Sequence, residues 1–323
     1  MSEARTNGAA LRALAPTPFV TVQDSGRRGW RRFGVSGAGA MDRLSLAIAN
    51  ALVGNRATEA ALEFAYAGGE WIVEATTCRV AIAGGPFDVS ADGMTLPPFS
   101  SAILRRGQLL RIGGAAQKVW GYLAVAGGFD IPVEFGSRAT HVRTGIGGFN
   151  GRTIRAGDTL PLRADQAPNE PERLTGAPAE DPRPIRLVLG PQQDYFDEAS
   201  LAAFLSTEYQ VTWQQDRMAY RLEGPVLRHS HGYNIISDGV VPGCIQIPGT
   251  GQPIVLMRDS GTVGGYPKIG TIIEADLGRL AQMRPGGMVQ FAAVGVADAQ
   301  IARRRFLARL QLVAEQMSSP VPV

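Results

Sequence analysis

Hydrophobic positions along the chain fall mostly into short runs with a two-residue period. Trp71-IV, Lys118-VWGYLAVA, Ile185-RLVL, Pro253-IVLM and Gly287-MVQFAAV have the length and the β-branched or aromatic character of strands. Phe87 to Leu96 alternates apolar and polar residues about Asp92-Gly93, a pair that predicts a tight hairpin. Three further segments, Arg105-RGQLLRI, Arg155-AGDTLPL and Arg284-PGGMVQF, share R-x-G-x-x-[LV]-x-[ILF]. Each predicts a glycine turn feeding a strand with alternate positions buried. Ala81-IAGGPFD and Ala124-VAGGFD form a second echo. Internal duplication and simple reuse of turn grammar both account for these echoes.

Helical periodicity is confined to a few segments. In Asp42-RLSLAIANALV-Gly54, Leu44, Ala47, Ile48, Ala51 and Leu52 follow the i, i+3, i+4, i+7, i+8 spacing of one face. Asp42 is placed to cap its start and Gly54 to end it. Asp197-EASLAAFL puts Leu201, Phe204 and Leu205 on one side, Asp276-LGRLAQM is short and stops before Pro285, and Asp298 to Met317 predicts a basic amphipathic helix. The pattern therefore predicts a mainly β protein with a few helices.

Composition adds organisation. The 323 residues suffice for two domains of ordinary size. Residues 165–184 hold five prolines and few apolar side chains, which predicts a linker. The expected division is an N-terminal β domain over 1–164, the linker at 165–184, and a C-terminal β domain with its terminal helix over 185–323. With 45% hydrophobic and 19% charged residues, the composition is that of a globular protein with a large core. No run approaches the ~18 apolar residues of a membrane span, and the N-terminus lacks the apolar core of a secretory leader. Cys78 and Cys244 lie far apart, which suits a reducing cytoplasm. The net charge of +3 is small and spread along the chain, so nucleic acid is not an expected partner.

Common chemical motifs come close and fail. No glycine precedes either lysine as a phosphate-binding loop requires. Gly145-IGGFNG has Asn150 where a dinucleotide fingerprint needs its last glycine, and Gly34-VSGA ends on Ala38 where a nucleophile elbow needs glycine. His229 and His231 have no companion cluster of metal-ligand spacing. One oddity remains. Of 32 basic residues only Lys118 and Lys268 are lysine, and Lys268 lies within the glycine-rich Ser260-GTVGGYPKIG-Thr271.

The glycine-rich segments carry a resemblance. They are Thr21-VQDSGRRGWRRFGVSGAGAMDRLSLAIANALVGN-Arg56, Gly127-GFDIPVEFGSRATHVRTGIGGFNGR, Gln215-DRMAYRLEGP, Ile236-SDGVVPGCIQIPGTGQPIVLM and Gly264-GYPKIGTI. In this order, from Pro18 to Phe291, the chain resembles the biotin-dependent carboxyltransferase family. That family includes allophanate hydrolase subunit 2, the carboxyltransferase half of urea amidolyase, the C subunit of 5-oxoprolinase and an antagonist of a sporulation-kinase inhibitor. Ser36 stands where the family pattern would have proline, and His141 where an aromatic is common. The resemblance implies two cyclophilin-like β-barrel domains. It also implies a cytoplasmic, non-autonomous enzyme subunit, above all like the C subunit of 5-oxoprolinase, an enzyme that opens 5-oxoproline with ATP. The alternatives are a carboxyltransferase moving CO₂ from carboxybiotin to a urea-like acceptor and a regulatory binder of a kinase inhibitor. Expected partners are a sister chain like allophanate hydrolase subunit 1 or the 5-oxoprolinase B subunit, and a LamB/YcsF-type protein. Gln117 and Pro267, not methionine, precede the two lysines, so biotin is not expected to attach here. Carboxybiotin or ATP would arrive through partner chains, and no metal is expected.

By the same resemblance, Lys268 is the expected catalytic cation and Asp238 a proton acceptor beside it. Gly264, Gly265, Tyr266, Gln246, Gln252, Arg217, Tyr220 and Asp42 are expected to bind substrate. A positioned cation opposing developing oxyanion charge is worth roughly 3–4 kcal/mol. Each residue also has a structural alternative. Asp238-Gly239 is ordinary turn chemistry, Asp42 an ordinary helix cap, and Arg217 and Tyr220 can serve as packing pairs under a barrel.

Overall fold

The three R-x-G segments fold alike. In the computed structural model, Gly107, Gly157 and Gly286 have φ of +87°, +88° and +87°. Each lies inside a turn closed by a backbone bond to the motif arginine, from Gln108 to Arg105, Asp158 to Arg155 and Gly287 to Arg284. A positive φ at this turn position costs glycine little and other residues much. The apolar positions that follow, Leu110 and Ile112, Leu160 and Leu162, and Val289 and Phe291, are all buried. The second echo is not shared in this way: Gly84 has φ of +116° while Gly127 and Gly128 have +78° and +79°. At the predicted hairpin, Asp92 and Gly93 both have positive φ, +46° and +83°, as a two-residue turn requires.

The structure describes residues 8–167, 173–174, 181–313 and 317–318. Much of the expected linker lies outside these. The chain divides into two compact units, each discontinuous in sequence: 1–27, 42–179 and 309–323 form one, and 28–41 and 180–308 the other.

The first unit holds two antiparallel sheets. One orders Thr159–Pro161, Ala10–Ala15, Ala67–Val73, Leu109–Gly114, Val89–Ala91 and Met94–Thr95; the other orders Thr21–Gln23, Ala61–Ala65, Trp120–Val125, Thr77–Ala83 and Ser101–Arg105. Leu11, Val22, Leu62, Phe64, Trp71, Val80, Leu110, Leu123 and Phe129 contribute to a single buried core. Helix Arg43–Leu52 packs on the second sheet. Asp42 caps it, its carboxylate accepting the N–H groups of Leu44 and Ser45, a contribution of about 1 kcal/mol.

The second unit is a closed seven-stranded barrel, ordered Ile185–Leu189, Lys268–Ile272, Cys244–Gln246, Ile254–Leu256, Ala219–Glu223, Glu208–Gln215 and Met288–Ala293. The last strand closes the barrel by running parallel to the first, with Ile185 opposite Phe291. Closure leaves no sheet edge unpaired. The mainly β character thus matches the sequence pattern. Barrel closure is found in this unit, whereas the strands of the first unit are arranged as two sheets. Helix Glu198–Ser206 begins at its Asp197 cap. Helix Glu274–Ala281 starts two residues before the predicted Asp276, whose buried carboxylate instead accepts from Arg186. The last helix spans Val296–Leu312 and does not reach Met317, which pairs with Leu174 in a two-residue ladder.

Candidate functional site

The site is built where strand Lys268–Ile272 begins. It pairs with Cys244–Gln246 so that Ile245 faces Gly270, but the register slips at the next step and Gln246 faces Lys268 instead of Ile269. Such a bulge re-aims a side chain, and bulges favour barrel rims and functional sites. Pro267 anchors the entry, its carbonyl accepting the Ile247 N–H at 3.1 Å.

Lys268 is buried, its side chain 4% exposed, and its Nζ donates to Asp238 Oδ2 at 2.7 Å. Asp238 belongs to a two-residue ladder in which it faces Gly264 and Gly239 faces Val263. Its side chain is 54% exposed. The Lys268 ammonium first, and then the Gly239 N–H at 2.7 Å, hold its carboxyl below the usual carboxylate range. Asp238 is therefore ionised at neutral pH, a weak base and a strong hydrogen-bond acceptor.

Gln246 lies beside this pair. Its Nε2 donates to the Tyr266 carbonyl at 3.4 Å. A Cβ on Gly264 would stand 2.3 Å from that Nε2, so glycine here makes room for the Gln246 amide. Sequence reasoning assigned that freedom to a ligand; the protein's own side chain uses it. Around Gly265 an added Cβ would meet only Ile235 O and Ser237 Oγ, both at 3.7 Å. Tyr266 is partly exposed at 39%.

The other predicted residues have structural partners. Arg217 makes a two-pronged pair with Asp259, Nε to Oδ2 at 2.9 Å and Nη2 to Oδ1 at 2.7 Å, and Nη2 also donates to the Gly39 carbonyl at 2.9 Å. It thereby ties segment 28–41 into the second unit, as does Arg31, which donates to the carbonyls of Val240 and Gly261. Ser36, at a departure from the family pattern, faces the carbonyls of Arg258 and Ser260 in the same unit. Tyr220 is wholly buried and donates to the Ala281 carbonyl. Gln252 pairs through both ends of its amide with the Gly224 backbone, at 2.9 and 3.0 Å. Asp42 belongs to the first unit and serves as a cap. These side chains are occupied with partners other than Lys268.

One residue at the site escaped the sequence reading. Gln192 Oε1 accepts the Lys268 N–H at 3.3 Å. Its only local sign is Gly190-Pro191, turn residues directly after a strand.

Chemically, the outward group is a carboxylate, and the ammonium stands behind it. The Lys268 ammonium is covered and meets the exposed Asp238 carboxylate at 2.7 Å. An outward carboxylate backed by a cation suits the N–H edge of a cyclic amide.

Comparison with known proteins identifies the family. The chain is 38% identical over 300 residues to the C subunit of 5-oxoprolinase from Escherichia coli, covering 91% of this chain and 94% of that one. It is 35% identical to the C subunit of 5-oxoprolinase from Haemophilus influenzae, covering 88% and 92%. Among solved structures, the Kluyveromyces lactis urea amidolyase superposes with a TM-score of 0.85 at 26% identity, over 96% of this chain but 20% of that larger one. TTHA0988 superposes with a TM-score of 0.80 at 33% identity, over 90% of this chain and 57% of that one. The model of the carboxyltransferase domain, subdomains A and B, matches residues 33–293, and the chain belongs to that family.

Proposed function

We propose that the chain is the C-type component of a 5-oxoprolinase, and that Asp238 is its contact with the lactam. The observation that carries this reading is the identity of 38% and 35% to two C subunits of 5-oxoprolinase, over about nine-tenths of each chain. 5-Oxoproline presents a ring N–H beside a carbonyl. Asp238 accepts the N–H, Lys268 keeps the carboxylate ionised and aimed, and Gln246 offers its amide next to them. Fixing a reactant in this way lowers the barrier by removing motion before reaction.

ATP supplies the driving force for lactam opening in this reading, and it belongs on another chain of the assembly. The residues here do not suit a triphosphate, because the ammonium is already neutralised by Asp238 at 2.7 Å and the outward carboxylate opposes phosphate. The chain therefore acts with a sister like the 5-oxoprolinase B subunit and with a LamB/YcsF-type protein, in the cytoplasm, and is inactive alone. Both cysteines, Cys78 and Cys244, are free and buried, in keeping with a reducing compartment. No described helix is long and apolar enough to cross a membrane.

Carboxyl transfer is the second reading, favoured by the TM-score of 0.85 to urea amidolyase. The ureido ring of biotin shares the N–H and carbonyl edge of a lactam, so the same pair serves it. Co-expression with both expected partners decides between them. The expected results are co-elution on size exclusion and ATP-dependent formation of glutamate from 5-oxoproline that needs every chain. Turnover by this chain alone, or carboxylation of urea with no opening of 5-oxoproline, would sink the first reading.

A further inference from the structure

We infer that Arg31 is a positioning residue of the candidate site: one nitrogen of its guanidinium clamps together the two chain segments of the ladder that carries Asp238, and so holds that carboxylate against Lys268. The inference rests on the reading of Asp238 as the substrate contact.

The ladder has little of its own to hold it. It is two residues long, pairing Asp238 with Gly264 and Gly239 with Val263, and an isolated two-stranded ribbon is marginal in water. Of residues 236–240 only Val240 is buried, and Val263 across from Gly239 is exposed. One backbone bond flanks each end, from the Ile235 N–H to the Gly265 carbonyl at 2.9 Å and from the Val240 N–H to the Thr262 carbonyl at 3.0 Å. The Lys268 ammonium meets the ladder through the Asp238 side chain, at 2.7 Å. Lysine is a point charge on a flexible stem, which fixes distance better than direction.

Arg31 supplies the clamp at the Val240 end. Its Nη2 donates to the Val240 carbonyl at 2.8 Å and to the Gly261 carbonyl at 2.6 Å. Val240 directly follows Gly239 in one segment, and Gly261 comes two residues before Val263 in the other, so the two bonds straddle the ladder. Both hydrogens of Nη2 lie in the guanidinium plane, and one rigid group therefore sets the spacing of the two carbonyls. Nε and Nη1 are buried and have no hydrogen-bond partner among the described residues, so the guanidinium commits its bonds to this pair.

The clamp is itself anchored. Arg31–Phe33 form a 3-10 turn, with the Phe33 N–H on the Trp30 carbonyl and the Gly34 N–H on the Arg31 carbonyl, both at 2.9 Å. Segment 28–41 belongs to the second unit, and Arg217 fastens its far end through the Gly39 carbonyl at 2.9 Å. The place of Asp238 is thus referred to a residue 209 positions before Val240.

The test reads the Asp238 carboxyl in the full chain by carbon NMR of labelled aspartate, with Asp238 assigned by its loss in Asp238→Asn. Arg31→Met removes both bonds. Arg31→Lys keeps the charge but not the planar group, so a shift in it does not come from lost charge, and it serves if the methionine variant folds poorly. The expected result is an upward shift of the Asp238 midpoint in Arg31→Met and a smaller one in Arg31→Lys, as the carboxylate drifts from the ammonium. In a Lys268→Met background neither Arg31 substitution should move the midpoint further, because the clamp acts through the ion pair. An unchanged midpoint in both single variants, or an equal shift with and without Lys268, would overturn the inference. In the assembled enzyme, kcat/KM of Arg31→Met should fall about tenfold with complex formation intact. A shift that requires Lys268 but leaves turnover at the wild-type rate would uphold the clamp and overturn the reading of Asp238 as the lactam contact.

Discussion

Two ion pairs in the second unit have the same closest distance, 2.7 Å, and opposite settings. Arg217 and Asp259 are both covered, with side chains 11% and 9% exposed. Two parallel bonds join them, and the guanidinium Nη2 also holds the Gly39 carbonyl. Lys268 and Asp238 are joined by a single bond, with the cation at 4% and the anion at 54% exposure. A planar fork saturates a carboxylate; an ammonium leaves the rest of it free. The first pair can only hold the fold together. The second keeps a charged face turned outward. The comparison explains why a chain with 30 arginines uses lysine at this position.

The largest expected effect of breaking this contrast falls on the closed pair. Arg217→Met leaves the Asp259 carboxylate buried without its cation, and we expect a loss of about 3–5 kcal/mol in unfolding free energy, measured by urea denaturation. A loss below about 1 kcal/mol, the scale of an exposed pair, would show that Asp259 finds water or another donor. Next comes the open pair, where the effect moves from stability to rate. Lys268→Met should leave the unfolding free energy within about 1 kcal/mol, since Asp238 already faces solvent, yet reduce turnover of the assembled enzyme about a hundredfold. Lys268→Arg should also be impaired, because a fork would close over the carboxylate. Wild-type turnover in Lys268→Met would reduce the pair to a surface contact. Lys118→Met is the control and should leave turnover unchanged.

The smallest effect is on pH dependence. The folded-state pKa of Asp238 lies below its ordinary value of 3.8, chiefly because Lys268 donates to it. Its contribution to stability is therefore complete above pH 3.8 and is lost as pH falls through the lower folded value. In Lys268→Met that part of the acid loss should vanish, so the acid limb of a stability–pH profile becomes shallower than in wild type. An identical limb would mean that the pair is not formed in solution.

The elements that were legible in the sequence are those built from neighbours. The R-x-G turns, the Asp92-Gly93 hairpin, the Asp42 cap and the strands at Trp71, Trp120 and Val289 each depend on residues within one turn or one period of each other. The site was legible only in part. Lys268 drew attention as a scarce residue among glycines, and Asp238, Gln246 and Tyr266 through the family motifs. Those motifs also pointed to Arg217, Tyr220, Gln252 and Asp42, whose side chains serve backbone carbonyls, a buried pair or a helix end. A motif reports that a residue matters without distinguishing support of the backbone from contact with a ligand. Gln192 went unseen because a glutamine after Gly-Pro looks like any turn.

By itself, then, the sequence determined local conformation: period-two burial, glycine at positive φ, and the helix starts at Asp42 and Asp197. The tertiary structure decided which distant side chains meet. Lys268 is 30 residues from Asp238 and 76 from Gln192, and Arg217 is 178 from the Gly39 carbonyl it binds. It also decided that 28–41 joins the second unit and that Lys268 is covered while Asp238 is open. The reason is register. A one-residue slip between Ile245 and Gln246 sets Lys268 opposite Gln246, and pairing across a barrel depends on how all its strands close, which no local pattern of residues encodes.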